Sequence, residues 1–213
     1  MALFIALEGI DGAGKTTQVG LLAQRLKEQQ CPLPLLVLHE PGSTVLGERL
    51  RHLIKEDLAT PLAARAELLL FAAARAQLME ERIKPFLNQG GIVLCDRFSG
   101  STLAYQGYGR GIDLPLVRKA EAIATGGIEP QKVILLDVDV KAALFRKRDL
   151  LHLDRFEMED LKFYERVRQG YLKLSRASQG VWDIIDGNQS PESVSKAVWA
   201  IVEPLALEAG NKA

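Results

Sequence analysis

Five short apolar runs, Leu3–Leu7, Leu35–Leu38, Ile92–Cys95, Val133–Val138 and Val181–Ile185, punctuate a chain whose other apolar positions recur at helical spacing. The runs are rich in Val, Ile and Leu and lack polar alternation, the pattern of strands buried on both faces. Between them the spacing predicts helices over Lys15–Gln29, Leu46–Lys55, Leu62–Leu87, Leu114–Ala124, Val140–Arg148, Leu161–Ala177 and Pro191–Leu205. Ser190 is placed as an N-cap for the last, with Pro191 at its first helical position. Short apolar runs alternating with helices predict an α/β fold, a parallel sheet covered by helices. No repeat, low-complexity tract or linker divides residues 1–213, so a single domain is expected, with a fraying tail from Ala206. Charge crowds Arg148–Asp160, between two helices; this is a solvated loop or a mobile lid over about residues 146–160.

Composition narrows the functional classes. Lys plus Arg (27) equals Asp plus Glu (27), so no global basic field recruits nucleic acid or an anionic membrane. An anionic ligand must be held by a local cluster. The first apolar run, Ala2 to Leu7, is too short for a bilayer and lacks signal-peptide flanks. Cys31 and Cys95 have no metal-ligand spacing, and Cys95, inside an apolar run, reads as a core residue. A reducing, cytoplasmic setting is expected.

The candidate chemistry begins at Gly9-Ile10-Asp11-Gly12-Ala13-Gly14-Lys15-Thr16, which fits GxxxxGK[ST] between a predicted strand and a predicted helix. Glycines let successive backbone N–H groups turn inward around phosphate oxygens, and the helix N-terminus adds its positive dipole end. Lys15 is expected to reach the β- and γ-phosphates of a nucleotide and Thr16 to ligate Mg²⁺. A P-loop alone does not name a reaction, since switches, motors and kinases share it. Asp96 and Arg97 follow the third apolar run, at the strand end where open α/β sheets bind ligands. Asp96 is a Mg²⁺ partner or a structural cap; Arg97 offers a guanidinium fork to a phosphate dianion, or is an ordinary loop arginine. Phe71 and Arg75, spaced i, i+4, share a helix face and could stack and bond a pyrimidine, although a core Phe beside an arginine fits the spacing as well. Ser101–Gln106 adds hydroxyls, an aromatic and an amide within a turn or two of helix, and Gly107–Gly111 reads as a flexible run or a plain loop.

Taken in order, EGIDGAGKTT (Glu8–Thr17), EPGST (Glu40–Thr44), FAAAR (Phe71–Arg75), DRF (Asp96–Phe98), YQGYGRG (Tyr105–Gly111) and DRFE (Asp154–Glu157) resemble the thymidylate kinase family in its bacterial form. The resemblance implies a nucleoside-monophosphate-kinase-like fold with five parallel strands, a mobile lid, a homodimer, and transfer of phosphate from MgATP to dTMP. It implies that Gly9 to Thr17, including Ile10, Asp11, Gly12, Ala13, Gly14, Lys15 and Thr16, hold ATP. Asp11, Arg97 and Glu157 match positions near the acceptor phosphate. Pro41, Phe71, Arg75, Thr102, Tyr105 and Gln106 match the nucleoside pocket, Tyr105 crowding the sugar's 2′ position. Asp186-Gly187-Asn188 matches a segment whose backbone meets adenine. The chain departs from the family pattern at His39, where an Arg is common, and at Leu150 and Leu151, where an Arg-Gly pair is common. The lid cation is therefore sought among Arg146, Lys147, Arg148 and Arg155, with Arg155 and then Arg148 the first choices as catalytic arginines. The competing readings are a kinase for UMP, CMP, AMP or a deoxynucleoside, and a nucleotide-operated switch without an acceptor.

Overall fold

The structure, a computed structural model, describes residues 2–29, 31–56, 61–147 and 159–211. Its centre is a five-stranded, all-parallel sheet in the order β2-β3-β1-β4-β5: β1 Leu3–Glu8, β2 Leu35–His39, β3 Ile92–Asp96, β4 Lys132–Asp137 and β5 Trp182–Asp186. Each strand lies within one residue of its expected start and end. β1 is buried along its whole length, and its alternate residues enter different cores. Leu3, Ile5 and Leu7 join one with Leu22 and Leu26; Phe4 and Ala6 join another with Leu78, Met79, Ile83 and Phe98. The expectation of burial on both faces holds for β1, β3 and most of β4 but not for the edges. Val37 on β2 and Ile184 on β5 are about half exposed, because an edge strand has a neighbour on one side only.

The helices are α1 Lys15–Glu28, α2 Val45–Lys55, α3 Ala64–Leu78, α4 Lys84–Asn88, α5 Ser99–Thr102, α6 Leu114–Thr125, α7 Val140–Lys147, α8 Leu161–Ala177 and α9 Pro191–Asn211. α1 and α9 pack together against the sheet; α8 packs on β4 and β5, α4 packs on β3, and α2 and α6 both lie on α3. Three expectations need correction. The helix expected over Leu62–Leu87 starts at Ala64, and a π-helical turn, Met79–Ile83, separates α3 from α4. Pro85 has no N–H and its ring crowds the preceding turn, and the wider turn just before it relieves that conflict. The Gly107–Gly111 run is not a free loop: Leu103–Gly109 is π-helical and packs under α8. A Cβ on Gly109 would come within 2.7 Å of the Phe163 ring and one on Gly107 within 2.6 Å of Leu114, so these glycines serve close packing. Finally, the fraying expected from Ala206 is not found over 206–211: α9 runs to Asn211 with Ala206 and Ala209 buried. The lid calls at Arg148, Asp154, Arg155 and Glu157 lie outside the described residues.

Candidate active site

β1, β3 and β4 end at one edge of the sheet, and the loops leaving β1 and β3 carry most of the expected site residues. After β1 the chain turns through Gly9–Gly14 into α1. Gly12 and Gly14 have φ of 79° and 89°, a left-handed conformation that glycine adopts without steric cost. Gly12 has a second reason: an added Cβ would lie 2.2 Å from the carbonyl oxygen of Ala143 on α7. Lys15 is buried, and its Nζ donates to the Ile10 carbonyl at 2.9 Å, so the ammonium arches back over the loop. Burial, and secondly the nearby Arg97 charge, lower its pKa to about 8. An anion in the loop would oppose both effects.

Thr16 and Asp96, the two residues expected to hold Mg²⁺, meet: the Thr16 hydroxyl donates to Asp96 Oδ2 at 2.5 Å. A hydroxyl and a carboxylate beside a phosphate cradle suit Mg²⁺, which keeps several waters and takes few protein ligands when bound with phosphates. Among the described residues no group of three or more His, Cys, Asp or Glu is placed to hold a metal ion.

Arg97 is the junction of the site. Its backbone has φ of 72°, unusual for a residue with a side chain, and its guanidinium donates to the Gly9 carbonyl (2.9 Å), Ser101 Oγ (3.0 Å), Tyr171 OH (3.2 Å), Asp11 Oδ1 (2.7 Å) and Tyr105 OH (3.3 Å). Tyr105 and Tyr164 hydroxyls also donate to Asp11 Oδ2 at 3.1 and 3.2 Å. Behind this group lies Glu8, wholly buried. It accepts from the Phe98 and Ser101 backbone N–H groups at 2.9 and 3.0 Å and from the Ser101 and Tyr171 hydroxyls at 2.6 and 2.9 Å. Burial raises the Glu8 pKa, and the donors oppose that rise. Glu8 thus ties the end of β1 to the turn that carries Arg97. Glu8, Tyr164 and Tyr171 were not among the expected site residues; no spacing links residues 8 and 171.

Two cavities meet here. One is lined by Pro41, Phe71, Arg75, Thr102, Tyr105 and Gln106, the whole expected nucleoside set within the described residues, together with Ile54 and Ser101. The Phe71–Arg75 pair therefore does face a cavity. Arg75 is nevertheless buried and engaged: it donates to Glu40 from Nε (2.6 Å) and to Thr102 (2.8 Å) and Glu121 from Nη1, with Nη2 in ion-pair contact with Glu40. The other cavity runs along Gly12–Gly20 to Arg146, Gly187 and Gln189, past the Asp186–Asn188 turn. Arg146 donates to the Gly187 carbonyl at 3.1 Å. Asp11, Glu40, Arg51, Lys55 and Arg97 line both cavities. Arg51 and Lys55 went unnoticed in the sequence, although their i, i+4 spacing on α2 was visible. His39 lines the second cavity, and its Nε2 lies 2.9 Å from Glu48 Oε1, so it braces the start of α2.

A P-loop on the central strand of a 2-3-1-4-5 parallel sheet, with a second pocket opening beside the phosphate cradle, defines a P-loop kinase of small nucleotides. Comparisons with known proteins make the class narrower. The sequence profile of thymidylate kinases matches residues 7–198. A thymidylate kinase of Thermosynechococcus vestitus (strain NIES-2133 / IAM M-273 / BP-1) is 47% identical over 92% of this chain and 85% of its own length. One from Roseiflexus sp. (strain RS-1) is 41% identical over 96% and 95%. The crystal structure of thymidylate kinase from Ehrlichia chaffeensis superposes with a TM-score of 0.80 at 34% identity, covering 94% of this chain and 98% of that one. The chain belongs to the thymidylate kinase family.

Proposed function

We propose that this chain transfers the γ-phosphate of ATP to dTMP, giving dTDP and ADP for dTTP synthesis. The observation that carries this reading is the junction of the two cavities, where Arg51, Lys55 and Arg97 line both. Two polyanions can approach only where their repulsion is neutralised, and in-line positioning with charge stabilisation is most of what phosphoryl transfer requires.

In this reading Gly9 to Thr17 cradle the ATP phosphates, with Lys15 turned from the Ile10 carbonyl to the transferring group. Arg97, held by Asp11, grips the acceptor phosphate, with Glu157 near it. Pro41, Phe71, Arg75, Thr102, Tyr105 and Gln106 hold the nucleoside. Thr16 and Asp96 would hold Mg²⁺, which would supply charge neutralisation to the bound phosphates. The acceptor needs no general base, because a phosphate monoester with a second pKa of ~6 is already a dianion at neutral pH. Arg148 or Arg155 would complete the charge over the site when a lid spanning about residues 146–160 closes. The chain acts as one domain, within the cytoplasm. Among the described residues no helix is long and apolar enough to cross a membrane. A homodimer is supported by Leu46 and Leu53 on α2, Leu69 on α3 and Ile123 on α6, apolar and exposed on helices that pack together.

The test is a coupled ADP-release assay across dTMP, dUMP, UMP, CMP and AMP, with a Lys15→Ala control. Release should be fastest with dTMP, clearly slower with UMP and absent in the control. A preference for another acceptor would make this a different nucleotide kinase. Slow release independent of any acceptor would instead identify a switch.

A further inference from the structure

Arg75 reaches the nucleoside cavity from α3, yet most of its guanidinium faces protein. A guanidinium carries five N–H bonds. Nε–H goes to Glu40 and the two N–H bonds on Nη1 to Thr102 and Glu121, while Nη2 lies beside the same Glu40 oxygen as an ion pair. Among the described residues no hydrogen bond takes up Nη2. A planar fork held on both sides cannot rotate, so the direction of Nη2 is fixed by its two carboxylate neighbours. Phe98 lies across the guanidinium at 5.1 Å and closes one face of it.

The two carboxylates come from different places. Glu40 follows β2 and lines the cavity; Glu121 lies on α6 and does not. Both are buried, at 5% and 3% exposure, and each uses one oxygen on Arg75 while its Oε1 has no hydrogen-bond partner among the described residues. Two carboxylates around one arginine are more than neutralisation requires. Burial raises both carboxyl pKa values, Glu40 to about 7, while Arg75 opposes the rise. Packing alone would favour an apolar residue at position 121 over a buried acid with an idle oxygen. What the acid does supply is a second fixed point for the fork.

We propose that Glu121, paired with Glu40, is a positioning residue that aims the Nη2 group of Arg75 at a base carbonyl and so sets the preference for a 4-oxo pyrimidine over a 4-amino one. This deepens the proposed function and rests on it. A donor held in one direction meets an acceptor oxygen on thymine or uracil, but faces another donor on cytosine, where both groups are left unpaired. A rotating donor would discriminate less.

The experiment compares the wild type with Glu121→Gln, Glu121→Asp and Glu40→Gln, measuring kcat and KM for dTMP, dCMP and ATP, and the thermal midpoint. Glu121→Gln should raise the KM for dTMP about tenfold and narrow the dTMP-to-dCMP ratio of kcat/KM, with the KM for ATP unchanged. Glu121→Asp should recover part of the ratio, because it restores a charged partner, and Glu40→Gln should act in the same direction. The proposal is overturned if the dTMP-to-dCMP ratio in folded Glu121→Gln stays within twofold (~0.4 kcal/mol) of wild type. It is equally overturned if dTMP and ATP parameters decline together with the thermal midpoint, the mark of a structural role only. A wild type that shows no dTMP-dependent ADP release would overturn the functional reading itself; release in the wild type with unaltered variants overturns only the positioning role.

Discussion

Arg97 holds a backbone conformation that suits glycine, at φ of 72°, and gains five side-chain hydrogen bonds from being there. The two effects can be separated by replacing it with Ala and with Gly. Both variants lose the guanidinium, so both should lose turnover by ~10²-fold or more. Arg97→Gly should also be more stable than Arg97→Ala by ~1 kcal/mol, since only the Ala variant keeps a Cβ in the left-handed region. Urea unfolding of the pair checks this, and equal midpoints would show that the turn carries no strain. Single residues were legible in the sequence where neighbours in the chain are neighbours in space. Lys15, Thr16, Asp96 and Arg97 were read from two short motifs, and the structure joins them. Glu8, Glu121 and Tyr171 were not, because each acts across a separation that only the folded sheet closes.

At the scale of elements, periodicity found the long helices but not α5 and the π-helical Leu103–Gly109 that continues it, nor the interruptions and last turns of the others. Pro85 and Pro204 both sit inside helical runs. The first is absorbed by the π-helical turn Met79–Ile83. The second leaves the Ala200 carbonyl without its helical donor, and Ala200 is exposed, so water can take that place. The end of α9 was misread as fraying because Ala206–Gly210 holds one large apolar residue, Leu207, which is exposed, while its buried positions are alanines. Its anchor lies a few residues earlier. Trp199 is nearly buried, with the Arg25 guanidinium 4.5 Å above its ring, so α9 is clamped onto α1. Trp199→Ala should destabilise the fold by ~3–5 kcal/mol. It should leave the KM for dTMP unchanged at temperatures where the variant is folded. Denaturant titration with parallel kinetics measures both, and a loss under ~1 kcal/mol would mean that α9 docks without this side chain.

The whole chain has balanced charge, yet the balance is not local. Lys15, Arg51, Lys55, Arg97 and Arg146 line the long phosphate cleft, against the acids Asp11, Glu40 and Asp96. Such a cleft attracts polyanions at a distance, and salt weakens that attraction over a Debye length of ~10 Å at 0.1 M. Raising ionic strength from about 0.05 to about 0.5 M should therefore raise both nucleotide KM values severalfold, with kcat changing less. Initial rates at fixed free Mg²⁺ test this; salt-independent KM values would show that the cleft field plays no part in capture. The sheet order has a different kind of consequence, one of timing. β1 is the first strand to be synthesised and the central one in the sheet, paired with Ile92–Asp96 on one side and Lys132–Leu135 on the other. At translation rates of ~5–20 residues per second, its wholly apolar run Leu3–Leu7 waits several seconds for its first partner strand. During that interval a growing chain has an aggregation-prone segment and no sheet in which to place it.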